Sequence, residues 1–444
     1  MTDHSRSKRD KFSNSMSRFA TVPNATGTFS PLRTSLRLDN HNFSPNVLKK
    51  IAEAMGQLHS ATQATFALHL ARIEISCSQV QRIANEIGNE LTQQRDAKVV
   101  QQRRRELPVR VSVTPEVVVV EVDGGRLRTR SGGCGPGVHE VQNKEDKVAC
   151  LVTLRSKTFE YDPQPEPPPS FREPRRVRRL VMQMKGLAGE NSQELQQNVA
   201  ENEEPRPEPS SPKTTANYPA SPRRLVRTCV ASMADSHAFG PMMAAEAQER
   251  GFYLAKRKAF VSDGATGNWG IHRGYFAQFE PITDFLHALC YVYSAAWAVG
   301  GGEAQRWSLY EKWLCACWQG RVQEVIDELK LAQVHVGIPP DDEELDKKDP
   351  RRLVAEALSY LNNNASRMDY PRYRREGLPI TSSLVESLVG EFNSRVKSRQ
   401  KFWNRPDGPE PILQLRAAIL SEDDRLDRYF AERPGHPYRG RKAA

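Results

Sequence analysis

Two aspartates stand where a β-branched run meets glycine. Glu116-Val-Val-Val-Val-Glu-Val122 runs into Asp123-Gly124-Gly125, and Lys258-Ala-Phe-Val-Ser262 into Asp263-Gly264. In open α/β sheets, ligands bind outside the carboxyl ends of strands. Two carboxylates placed there can share hard cations such as Mg²⁺, which takes oxygen ligands. Either Asp-Gly alone reads equally as an ordinary turn. A third carboxylate, Glu386, lies in Thr381-Ser-Ser-Leu-Val-Glu-Ser-Leu-Val-Gly-Glu-Phe-Asn-Ser-Arg-Val-Lys397. There Val385, Leu388, Val389, Phe392 and Val396 form one helical face. Glu386, Asn393 and Lys397 form a polar stripe beside it. Ser383-Leu-Val-Glu386 also reads as a capping box, which needs no catalytic reason. If Glu386 is only a cap, Glu391 and Glu376 are the next carboxylates to consider. Taken together, two strand-end Asp and one helical Glu suit two-metal phosphoryl transfer, with ions roughly 3.5–4 Å apart.

Other residues suit contact with a nucleic acid. Asp284-Phe-Leu-His287 puts a carboxylate and an imidazole three apart on one helix, able to orient a phosphate or DNA strand; a helix cap with a packed histidine fits the same spacing. Trp403, after Lys401-Phe402, suits stacking on an unpaired base, or a place in the core. Lys397 joins this DNA-facing set. Helices at 61–71 and 77–102 resemble a helix-turn-helix. Ser78, Gln79, Arg82 and Asn85 would then face a major groove from the start of the second helix. Gln, Asn and Arg are the side chains that pair with base edges in that groove. A plain helical hairpin explains the same periodicity.

The elements that must position these residues follow from pattern. Ser44-Pro45 opens a helix carrying Leu48, Ile51 and Met55. Ser76-Cys-Ser-Gln79 is a capping box ahead of Val80, Ile83, Ala84, Ile87 and Leu91. Three strands are expected next: the alternation Val111-Ser-Val113, the run 116–122 ending at Asp123-Gly-Gly, and Lys147–Leu154. A Gly-rich loop occupies 131–137. Residues 157–222 break composition into Pro, Glu, Arg and Ser and read as a flexible insertion, with a short helix near Arg178–Lys185. Structure resumes at 226: a helix ending near Gly251, a strand at 258–262, a helix at 268–275 and a strand at 279–282. Helices then fill 284–364 around an acidic loop at 339–350, and one more covers 383–400.

Composition bounds the class. The 444 residues allow two or three domains. Apolar residues are 38 %, and 30 prolines go with disordered stretches beside a real core. No apolar run approaches the ~18 residues of a membrane span. The first residues are basic and polar, without a secretory signal's apolar region. Seven cysteines without a C-x-x-C pair argue against a disulfide framework or zinc knuckle and point to a reducing cytoplasm. A net charge of +10 suits a polyanionic partner.

These stretches resemble the ISKra-type insertion-sequence transposases, a family with a ribonuclease H-like catalytic domain. The resemblance rests on Val122-Asp-Gly-Gly-Arg126, Lys147-Val-Ala-Cys-Leu151, Lys256-Arg-Lys-Ala-Phe-Val-Ser-Asp-Gly-Ala265, Asp284-Phe-Leu-His-Ala-Leu-Cys-Tyr-Val-Tyr293, Met368-Asp-Tyr-Pro-Arg-Tyr-Arg374, Gly377-Leu-Pro-Ile-Thr-Ser-Ser-Leu-Val-Glu-Ser387 and Lys401-Phe-Trp403, in order over about 45–425. It implies an α/β fold: a ribonuclease H-like mixed sheet with a helical insertion, plus an N-terminal helix-turn-helix-like unit. It implies a catalytic triad of Asp123, Asp263 and Glu386 holding two Mg²⁺ or Mn²⁺ ions. Its partners would be terminal inverted repeats and target DNA, with a homo-oligomer on DNA, no membrane, and a cytoplasmic, nucleoid-associated setting in bacteria. The expected domains are a disordered basic arm (1–43), a helical DNA-binding unit (44–107), catalytic pieces at 108–156 and 223–283 around the 157–222 insertion, a helical insertion (284–370), catalytic C-terminal helices (371–432) and a basic tail (433–444). Two rivals fit the same residues: a domesticated, non-catalytic DNA-binding regulator, and a ribonuclease H-like nuclease that does not join strands.

Overall fold

The structure is a computed structural model that describes residues 43–130, 141–184, 222–340, 345–397 and 402–433. The expected basic arm (1–42 of it), the Gly-rich loop, the 185–221 part of the insertion and the tail from 434 lie outside the described residues. The chain divides into two compact units: Met1–Glu86 with Asp424–Ala444, and Ile87–Asp423. The dividing point falls inside a helix, not at 107, and the last helix groups with the N-terminal residues rather than with the pieces expected to be catalytic.

In the first unit, α1 (Pro45–Gln57) starts at Ser44, whose hydroxyl accepts from the Val47 N–H, with Pro45 at the first helical position. Leu48, Ile51 and Met55 are buried, as their spacing requires. Helix α2 (Ala61–Leu70) is followed by a turn through Arg72 at φ 60°. Helix α3 (Cys77–Arg103) begins with the capping box: Gln79 N–H donates to Ser76 Oγ at 3.3 Å, and Ser76 N–H to Gln79 Oε1 at 3.2 Å. The C-terminal helix of this unit, Arg425–Glu432, is tied back by Lys49–Asp427, and Arg433 pairs with Glu86 at 3.1 Å.

The second unit is built on a five-stranded mixed sheet of order β3-β2-β1-β4-β5. Its strands are β1 (Val117–Thr129), β2 (Gln142–Arg155), β3 (Arg223–Ser232), β4 (Arg257–Ser262) and β5 (Glu280–Thr283). β1, β2 and β3 are antiparallel neighbours, while β4 and β5 run parallel to β1. Three expectations are corrected here. Val111–Val113 is no strand; Val113 is 78 % exposed and Pro115, with no N–H, follows two residues later. The third antiparallel strand is instead β3, whose Arg-rich start hides its alternation. And β1 does not end at Asp123-Gly-Gly. It continues from Asp123↔Val148 to Thr129↔Gln142 because β2 is long enough to pair with it. The turn cue loses to ladder hydrogen bonding, and Gly125 has a packing reason: a Cβ there would lie 2.6 Å from Asp146 Oδ1.

Side chains alternate across the sheet. Val118, Val120, Val122, Ala149, Leu151 and Phe260 join Phe239 and Met243 of α5 (Ser236–Glu249) and Trp269 of α6 (Thr266–Tyr275) in one core. Glu121 and Asp123 face the other way, toward α12 (Ser383–Val396), which packs on β1 and β2. Between β5 and α12 come α7 (Phe285–Ala298), α8 (Glu303–Trp318), α9 (Val322–Val336), α10 (Pro350–Asn364) and the short α11 (Tyr370–Arg375), the expected helical block. α13 (Glu410–Leu420) backs β3.

The reading of 157–222 as flexible is also corrected for its first part. Residues 157–173 and α4 (Pro174–Met184) are packed. Asp162 accepts two bonds from Arg374, at 2.8 and 2.5 Å, Trp318 Nε1–H donates to Gln164 O, and Val177 is buried. Composition missed this because prolines obstruct ladders and helices without obstructing packing. No described cysteine forms a disulfide. No helix among the described residues is long and apolar enough to cross a membrane.

Candidate functional site

The register brings three aspartates to one edge. The parallel pairing of β1 with β4 ends at Val122↔Ser262, and that of β4 with β5 at Ser262↔Thr283. The next residue of each strand is Asp123, Asp263 and Asp284. Strand-end carboxylates are therefore aligned on neighbouring strands, at the carboxyl end where ligands bind in such sheets.

Each is held by local hydrogen bonds. Asp123 Oδ1 accepts from the Gly124 N–H at 2.7 Å. Asp263 Oδ1 accepts from Ser262 Oγ, the Ala265 N–H and Asn268 Nδ2, all at 3.0 Å. Asp284 is fully buried and caps α7. Its Oδ1 accepts from the N–H groups of Leu286 and Ser382, and its Oδ2 from the His287 N–H and, at 2.6 Å, from His287 Nδ1. Asp284 thus caps α7 and pairs with the His287 imidazole at once.

Glu386 projects from the first turn of α12. The capping box with Ser383 does not form. The N-cap is Ser382, and its hydroxyl donates to Glu386 Oε1 at 3.0 Å. The helix start is capped from the sheet instead: Val385 N–H donates to Glu121 Oε2 at 2.8 Å. Glu386 is therefore not the cap of its helix.

The groups act on one another electrically. Burial raises the Asp123 carboxyl, the Gly124 bond opposes this, and the charges of Asp263 and Asp284 raise it further while His287 lowers it. Burial and then Asp284 push Glu386 up to about 7, against Ser382 and His287, with Asp123 adding to the rise. Burial alone would lower His287. The bond to Asp284 and the charges of Asp284, Asp263 and Glu386 outweigh it and raise the imidazole to about 9. Asp123, Asp263 and Glu386 thus share one electrostatic neighbourhood with Asp284 and His287.

Within it, Asp284, His287 and Glu386 each offer a ligand atom within 4.8 Å of the others. The tight trio contains only one of the three carboxylates expected to hold metal, together with His287 of the expected DNA-facing set. The chemistry fits a divalent cation: hard oxygens plus one imidazole. Burial first, and the neighbouring carboxylates next, raise these carboxyls, and a cation placed among them would lower them. Glu391 and Glu376, the fallback carboxylates, are engaged elsewhere with Arg227 and Arg372.

Two buried carboxylates escaped the sequence reading. Glu121 is fully buried, its Oε1 has no partner, and burial holds its carboxyl well above the usual range. Asp146, opposite Gly125, is fully buried with neither oxygen hydrogen-bonded. Burial raises it to about 6, with Lys397 opposing and Asp123 adding. The available signal was Glu121 two residues before Asp123, hence on the same strand face.

The expected DNA contacts divide. Ser78, Gln79 and Arg82 are exposed on α3, and Asn85 is half-buried. Gln79 Oε1 is committed to the capping box, and Ser78 Oγ lies 3.2 Å from Ser76 Oγ. Lys397 is exposed at the end of α12. Trp403 is an anchor: its Nε1–H donates to Val396 O, and its backbone exchanges bonds with Arg128 and Arg130 at the end of β1. Its indole N–H is engaged and the residue is half-buried, which gives Trp403 a structural role.

Comparison with models of protein families gives no match, and comparison with curated proteins gives none.

Proposed function

We propose that this protein is a DNA transposase of a mobile element, cleaving and joining phosphodiesters at a carboxylate site made by Asp123, Asp263, Asp284, His287 and Glu386. The observation that carries the reading is the alignment of three aspartates past the last paired residues of parallel β1, β4 and β5, beside Glu386 of α12. The mixed sheet, with a helical block between β5 and α12, supports the ribonuclease H-like form of the reading. The resemblance of the 377–387 and 256–265 stretches to insertion-sequence transposases narrows it from phosphoryl transfer in general to transposition.

Asp284, His287 and Glu386, with Asp123 and Asp263 beside them, would hold the divalent ions. Bound ions of this kind activate an attacking oxygen and stabilise a leaving one. The chain's own residues do the rest. Asp284 fixes the imidazole through Nδ1, leaving Nε2 to meet a ligand or a phosphate oxygen. Ser382 fixes the rotamer of Glu386, and Glu121 fixes the start of the helix that carries it. No described side chain is required as a covalent nucleophile, which separates this scheme from serine or tyrosine recombination.

The test is incubation of the full chain with a duplex bearing the terminal repeats of its own element, with Mg²⁺ or Mn²⁺. Transposase activity gives 3′-OH ends that reappear joined to a second duplex. Nicking without joined product leaves the nuclease rival, and binding without nicking leaves the regulator.

A further inference from the structure

The helix α4 carries Arg175, Arg176, Arg178 and Arg179 within five residues. Val177 and Val181 bury its inner side. Arg178 is engaged, pairing with Glu303 and lying 6.0 Å from the ring centre of Trp297. Arg175, Arg176 and Arg179 are exposed and have no ion-pair or hydrogen-bond partner among the described residues. At spacings of three and four they share one helix surface, where like charges repel rather than stabilise. Helix stability gives no reason for such a stripe, whereas an anionic ligand does.

The stripe has a place and a direction. Arg175, Arg176 and Arg179 line a cleft of about 540 Å³ with Phe171, Glu173 and Leu286. Leu286 is the neighbour of His287 in the first turn of α7. Arg176 also lines an adjoining recess of about 340 Å³ that reaches Thr381, Ser383 and Leu384, where α12 begins one turn before Glu386. Both recesses are thus lined by residues from the starts of the two helices that carry His287 and Glu386.

We propose that Arg175, Arg176 and Arg179 form a binding surface for the phosphate backbone of DNA, holding the strand that enters the carboxylate site. This rests on the transposase reading and adds the surface that delivers its substrate. Arginine suits the task because its planar fork meets two phosphate oxygens at once and keeps its charge at any working pH. From Arg175 to Arg179 the helix rises about 6 Å, and phosphates of one strand recur every ~3.4 Å along a duplex axis, so the stripe spans about two or three of them.

The test compares the full chain with a triple variant, Arg175→Gln, Arg176→Gln and Arg179→Gln. A control, Lys312→Gln, Arg321→Gln and Lys330→Gln, removes the same charge from α8, the α8–α9 turn and α9. Affinity for a labelled duplex carrying the terminal repeat is measured from low to moderate salt, and a thermal melt verifies folding. Each lost phosphate contact removes ~0.9 from the slope of log K against log salt. The expected result is a slope shallower by about 2 to 3 and affinity at least tenfold weaker at ~0.1 M salt, with the control near wild type. An unchanged slope, or a loss equal to the control's, overturns the surface while wild-type cleavage keeps the transposase reading intact. Wild-type protein that neither binds nor cuts the duplex overturns both. Loss confined to an RNA duplex overturns the assignment to DNA.

Discussion

Glu386→Gln separates a cation ligand from a helix cap. In the fold the Glu386 carboxyl stands at about 7, against an ordinary 4.5. A group whose folded pKa is raised lends stability that is complete below its unfolded value and lost as pH rises through the folded one. Cation-free wild type should therefore lose stability between pH 4.5 and 7 on account of this residue, by about 3 kcal/mol. Gln does not titrate, keeps the side chain's shape and can still accept the Ser382 hydroxyl bond. Without cation at pH 8 the variant should melt above wild type by as much as about 4 °C, given ~2.1 cal/mol/K of unfolding entropy per residue over the second unit. Mn²⁺ or Mg²⁺ should reverse the order, raising the wild-type melting temperature and leaving the variant nearly unmoved. Strand cleavage should be lost in the variant. The assays are calorimetric melts at pH 5 and pH 8, with chelator and with Mn²⁺, beside cleavage of a terminal-repeat duplex. A Gln variant that melts below wild type in chelator at pH 8, yet responds normally to Mn²⁺, would refute the reasoning and return Glu386 to a structural role.

Glu121→Gln should cost under about 1 kcal/mol in urea denaturation, because Gln keeps the side chain's shape and can still accept the Val385 N–H bond; Glu121→Ala should cost about 2–4 kcal/mol by opening a cavity and orphaning that N–H. Equal losses in the two variants would mean the capping bond contributes nothing. Asp162→Ala should destabilise by about 3–5 kcal/mol, since Arg374 is buried on Trp318 and would lose its carboxylate partner; a loss below about 1 kcal/mol would restore the flexible reading of 157–168. Arg82→Ala should weaken binding to the element's ends by about 10- to 100-fold over a scrambled duplex. Gln79→Ala should act mainly on stability, by about 1 kcal/mol through the α3 cap. Equal losses of Arg82→Ala on both duplexes would assign Arg82 to phosphate rather than base contacts.

What the sequence by itself determined is local. The helices at 45–57, 61–70 and 77–103 follow from their apolar periodicity and the Ser76–Gln79 box, because both act within a few residues. The continuous Val run of β1 and the strands at 147–154 and 258–262 were legible for the same reason. Asp123, Asp263 and Glu386 could be picked out by residue type and position within an element. Tertiary structure decided everything set by pairing across the chain. Whether Asp123-Gly-Gly turns or continues depends on β2 lying opposite, and β3 exists as a strand only because an edge of β2 is available to it. Asp284 joined Asp123 and Asp263 through register, which no single strand carries in its own sequence. The cap that Glu121 provides for α12 spans 264 positions, and the Asp162–Arg374 pair that holds the Pro-rich segment spans 212. Periodicity reports only neighbours a few residues away. The burial and charge that raise Glu386, and the carboxylates that raise His287 against its burial, come from groups brought together by the sheet's ends, so this electrostatic cluster forms only once those ends are aligned.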